Sequence, residues 1–133
     1  MKNILTILVL TLLIAFPSTG QASESFDIAA TVNKSAISES DVNDRLKLIF
    51  ASSGMPKNKQ GRDRARTQAL NVLIEEELKI QEAERQNLNV TDEEIDQGFA
   101  SLAQQNNMSP EEFSAVLQKQ GIPKTTLLHQ IKS

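Results

Sequence analysis

Apolar residues follow three different spacings along this chain. From Ile4 to Phe16 they form a nearly continuous run holding only Thr6 and Thr11 as polar members. From Ile28 to Ile37 they alternate, and beyond Ser38 they recur at helical intervals. In the alternating stretch Ile28, Ala30 and Val32 share one side, and Asn33-Lys34-Ser35 carries turn chemistry before Ala36 and Ile37. This predicts a short hairpin. Two strands alone are marginal in water, so the hairpin must pair with or pack on something else.

Ser38 is a candidate N-cap, with Glu39 and Asp41 placing negative charge at a helix start. Val42, Leu46, Ile49 and Phe50 then form one stripe, which should fade at Ser52-Ser53-Gly54. Residues Gly54 to Gly61 hold two glycines and a proline without periodicity, and read as a mobile loop. The most informative helix is expected over about Arg62 to Arg85. At 100° per residue, Ala65, Ala69, Val72, Leu73, Ile80 and Ala83 lie on one side, and Leu70, Ile74 and Leu78 on the other. A helix with two apolar stripes must be covered twice or leave one stripe free for binding. The charges between them, including Glu75, Glu77, Lys79, Glu82 and Arg85, read as solvating flanks.

Thr91-Asp92-Glu93-Glu94 is a capping box. It opens a helix with Ile95, Phe99, Leu102 and Ala103 on its apolar side, which Asn106-Asn107 can end in a left-handed conformation. Ser109-Pro110-Glu111-Glu112 opens another, carrying Phe113, Val116 and Leu117, with Gly121 as its C-cap. Pro123 opens a last helix bearing Leu127, Leu128 and Ile131. The expected fold is therefore mainly α: a short N-terminal β-hairpin, then about five helices around a long central one. The last helix has no stop signal before Ser133, so the domain is expected to be incomplete and further chain to follow.

The leading run has a different meaning. Lys2 precedes it and Pro17-Ser18-Thr19-Gly20-Gln21-Ala22 follows, which is the layout of a secretory signal peptide. It is shorter than the roughly 20 apolar residues of a membrane span. Residues 1–22 are thus expected to be removed after Ala22, leaving an exported domain at 23–133, with no membrane insertion. Loss of Lys2 moves the formal charge from −3 to −4. With no cysteine, disulfides, thiolate metal sites and cysteine nucleophiles are excluded. There is no tryptophan or tyrosine, so the core must be small and aliphatic.

Chemistry-bearing residues are sparse. Lys57, Lys59, Arg62, Arg64 and Arg66 make a local basic cluster around Asp63, but a net-acidic chain without stacking tyrosine or tryptophan is not expected to take nucleic acid as a partner. His129 is the only histidine and reads as a surface or helix-end residue rather than an acid, base or ligand. Glu75-Glu76-Glu77 and Asp92-Glu93-Glu94 are consecutive on helices, so their side chains diverge. No catalytic residue, cofactor site or metal site is expected.

Three segments carry a family likeness: Ile28-Ala29-Ala30-Thr31-Val32-Asn33, Ile37-Ser38-Glu39-Ser40-Asp41-Val42 and Leu73-Ile74-Glu75-Glu76-Glu77-Leu78. With Val90-Thr91-Asp92-Glu93-Glu94-Ile95-Asp96 and the Gln105-Asn106-Asn107-Met108-Ser109 junction, the chain resembles the N-terminal domain of SurA-type periplasmic chaperones. The resemblance implies a holding chaperone for unfolded outer-membrane proteins that needs no nucleotide. In that family, parvulin-type prolyl isomerase domains follow, and a C-terminal segment packs back on the N-terminal core. Such a segment is a second expected partner.

Client contact is expected at Ile49, Phe50, Met55, Leu70, Ile74, Leu78 and Met108, the unbranched methionines suiting varied clients. Two other readings stay open: the non-catalytic lead segment of a secreted parvulin-type isomerase, and a small adaptor that dimerises through the free stripe.

Overall fold

The computed structural model describes residues 27–133; the expected signal peptide, its expected cleavage position and Phe26 lie outside the described residues. Strand β1 (Ile28–Val32) pairs antiparallel with β2 (Ser35–Ser38), joined at Asn33, whose φ is 56°. Five helices follow: α1 (Glu39–Ser53), α2 (Lys59–Arg85), α3 (Asp92–Gln105), α4 (Pro110–Lys119) and α5 (Lys124–Lys132). This is the mainly α architecture that the apolar spacing predicts.

The helix boundaries have local causes. Ser38, Thr91 and Ser109 each accept a hydrogen bond from the amide three residues on, while the acidic side chain there bonds back to the cap amide. Each box thus satisfies two amides that the helix start leaves open. Gly54 (φ 61°), Asn107 (φ 57°) and Gly121 (φ 68°) leave their helices in the left-handed conformation. Helix α2 begins three residues earlier than expected, because Asn58 caps it by accepting from the Gly61 amide at 2.8 Å. The loop after α1 is correspondingly shorter, and Met55 within it is half-buried against the core.

Two apolar clusters form. The first joins hairpin, α1 and α2 through Val32, Ile37, Val42, Ile49, Ala65, Ala69 and Leu73. The second joins α3, α4 and α5 through Phe99, Leu117, Ile122 and Leu127, with Phe113 tilted against Phe99 at 5.4 Å between ring centroids. The hairpin gains the support it needs from α2. Gln81 donates to the Val32 carbonyl at 3.0 Å and to Ser35 Oγ at 3.2 Å, and accepts from Asn33 at 2.7 Å.

Candidate functional site

Between the two clusters runs an open apolar groove of about 540 Å³. Helix α1 supplies Leu48 and Ile49, α2 supplies Val72, α3 supplies Leu102, and α4 supplies Phe113, Val116 and Leu117; Met108 lies at the α3–α4 junction. The groove arises because α3–α5 pack chiefly on one another around Phe99, while α1 and α2 pack around Ala65 and Ala69. Leu48 is the α1 residue that reaches across to the second cluster. Of the groove's lining residues Arg45 alone is charged, so what it offers a ligand is apolar surface with amide groups at its margin.

Arg45 is itself only 3% exposed. It forms a two-pronged ion pair with Glu76, Nη1 to Oε1 at 2.8 Å and Nη2 to Oε2 at 2.7 Å, and Nη1 also donates to Gln130 Oε1 at 3.2 Å. His129 Nδ1 lies 3.2 Å from Glu76 Oε2, and its Nε2 lies 3.9 Å from Glu77 Oε2. Two of the three consecutive glutamates thus do converge, Glu76 and Glu77 both reaching His129, where divergence was expected. His129 stands in the last turn of α5, as expected of a helix-end residue, and is half-buried there. Burial pushes the Glu76 carboxyl up, but hydrogen bonds from His129 and Arg45, with their charges, outweigh that and hold it below the usual range. Glu77 is held low by hydrogen bonding to Ser35 and Gln81, helped by the His129 and Lys132 charges. A polar hollow of about 290 Å³ beside this network is lined by Asp41, Asp44, Thr125 and Thr126. Among the described residues no three histidine or acidic side chains are grouped to hold a metal ion.

The residues expected to meet clients are dispersed. Ile49 is buried in the first cluster with one side on the groove, and Met108 lines the groove. Phe50, Met55, Leu70 and Ile74 are half-buried against the first cluster. Leu78 is 47% exposed. The second stripe of α2 is therefore largely covered, and only its C-terminal member stays open. Val72, Leu102, Phe113 and Val116, which line the groove, are legible in the sequence only as members of apolar helix stripes. Spacing alone cannot separate a residue facing a core from one facing a gap between two cores.

The fold and groove define a helical module with a hairpin-braced spine and an accessible apolar channel. A family model, the SurA-like N-terminal domain, matches residues 1–133, and the chain belongs to that family. It is similar to the Chaperone SurA of Salmonella typhimurium, at 30% identity over 133 residues covering 99% of this chain and 31% of that protein. Chaperone SurA of Chromohalobacter salexigens is 32% identical over 108 residues, 79% of this chain and 24% of that protein. Chaperone SurA of Escherichia coli O157:H7 is 28% identical over 133 residues, 99% of this chain and 31% of that protein. The chain thus spans about a third or less of the relatives it matches.

Proposed function

We propose that this chain acts in the periplasm as a holding module of a SurA-type chaperone, binding unfolded outer-membrane proteins through the groove between its two apolar clusters. The observation that carries the reading is the groove itself. A family member with about 540 Å³ of open, apolar volume has the surface a holding chaperone needs, divided so that no broad patch invites self-association. Met108 beside Phe113 and Val116 gives the lining both an adaptable and a firm part.

Export of residues 23–133 after removal of 1–22 belongs to the same proposal. Among the described residues no helix is long and apolar enough to cross a membrane. The clients proposed are extended apolar segments, with no nucleotide or metal taking part. A C-terminal segment of the parent protein is a second proposed occupant of the apolar surface.

The test is light scattering of an unfolded outer-membrane β-barrel protein diluted from denaturant, with and without an equimolar amount of the chain. Suppressed aggregation supports the reading, provided Val116→Asp removes the effect in a chain that stays folded. Undiminished aggregation beside a demonstrably folded chain overturns it.

A further inference from the structure

The groove does not end at α1. Two of its margin residues, Ala51 and Gln120, also line a second open hollow of about 660 Å³. The floor of that hollow includes Leu46 and Phe50, and its edge carries Lys47, Lys57 and Arg62. Lys47 is paired with Asp44 at 2.6 Å. The nearby cations Lys59 and Arg66 are also paired, with Asp63 at 3.2 Å and with Glu39 at 2.7 Å. Lys57 and Arg62 make no ion pair among the described residues. A chain of net charge −3 thus sets uncompensated positive charge at one place along its apolar channel. The only other charge on the groove's lining, Arg45, is neutralised by Glu76.

We infer that groove and hollow form one polarised site for protein segments that are apolar in the middle and carry carboxylate side chains on one flank. This rests on the reading of the groove as a client site and adds to it a direction and a charge preference. Apolar side chains lie against Leu102, Met108, Phe113 and Val116. The flanking Asp or Glu meets Lys57 and Arg62 beyond Ala51. Opposite charges steer the encounter and set the register of a segment that the apolar lining alone would leave free to slide. Nucleic acid suits the site poorly: two free cations on a net-acidic chain release few counterions, and the only aromatic side chains lining it are Phe113 in the groove and Phe50 in the hollow, among the described residues.

The experiment is fluorescence anisotropy of three labelled peptides that share one apolar core and differ only in a flank of two Glu, two Gln or two Lys. Each is titrated against the chain and against the Lys57→Glu/Arg62→Glu variant, with folding checked by circular dichroism. The Glu-flanked peptide is expected to bind roughly three- to tenfold more tightly than the Gln-flanked one, the scale of two exposed ion pairs. That advantage should vanish at about 0.5 M salt through screening, and the double variant should prefer the Lys flank. Equal binding of all three, abolished by Val116→Asp, would overturn the polarity and leave the groove reading standing. Failure of every peptide to bind the folded chain would overturn both. Anionic vesicles that sediment with the chain but not with the double variant, with no flank preference among the peptides, would assign the cations to lipid and overturn the proposal.

Discussion

Arg45 and Glu76 stand 31 residues apart and are buried against each other with two parallel hydrogen bonds of 2.8 and 2.7 Å. Each sits on the inward side of its helix among apolar neighbours: Arg45 between Val42 and Ile49 on α1, Glu76 between Leu73 and Ile80 on α2. The pair fixes the register of α1 on α2, and through Gln130 and His129 it also holds α5.

Removing one partner is expected to cost far more than removing both. Glu76→Ala or Arg45→Ala leaves a buried charge uncompensated and should lower stability by roughly 3–5 kcal/mol, whereas Arg45→Met/Glu76→Leu should lie close to the parent. Urea denaturation of the three variants checks this, and additive losses in the double variant would contradict it.

The acid side of the stability profile follows from the same carboxylate. The folded Glu76 carboxyl lies below its ordinary value of 4.5, so its contribution is present above that pH and is lost as pH falls through the lower folded value. Glu94, held low by the backbone and hydroxyl of Thr91, shifts the same way. The urea midpoint should therefore fall as pH drops below about 4.5. Glu76→Gln should start lower at neutral pH and fall less steeply.

Gly61 tests the α1–α2 junction. It lies in the first turn of α2, where a Cβ would collide with the carbonyl oxygen of Pro56. Helix propensity favours Ala over Gly by about 1 kcal/mol, but the obstacle is backbone and cannot rotate aside. Gly61→Ala should destabilise by roughly 1–3 kcal/mol, read from thermal or urea unfolding. A stabilised variant would show that the loop yields freely.

Two members of the second α2 stripe separate by mutation. Ile74 is half-buried against the first cluster, so Ile74→Glu should cost roughly 1–3 kcal/mol by burying an unpaired carboxylate. Any loss of client binding in that variant reflects unfolding. Leu78 is exposed, and Leu78→Glu should change stability by less than about 0.5 kcal/mol. Paired unfolding curves compare the two directly.

The local frame was legible in the sequence for a physical reason: caps, turns and helical stripes act over three or four residues. Ser38, Thr91 and Ser109 cap the helices that the sequence has them open. Asn107 and Gly121 end their helices in the left-handed conformation as read. Asn58 was missed because its acceptor role depends on the chain turning at Pro56, which no periodicity announces. Ile122, 2% exposed, was missed because it lies between helices and belongs to no stripe.

What the sequence by itself determined was the set of elements, their order and the faces they bury, since each is encoded in neighbouring residues. The tertiary structure alone decided that Arg45, Glu76 and His129 meet and that Val72 and Val116 face a groove. It also decided that Leu70 and Ile74 are covered while Leu78 is not. Those outcomes join residues as far apart as Glu76 and His129, 53 positions. They turn on how two clusters divide the available apolar surface, a property of the packed chain that no single segment contains.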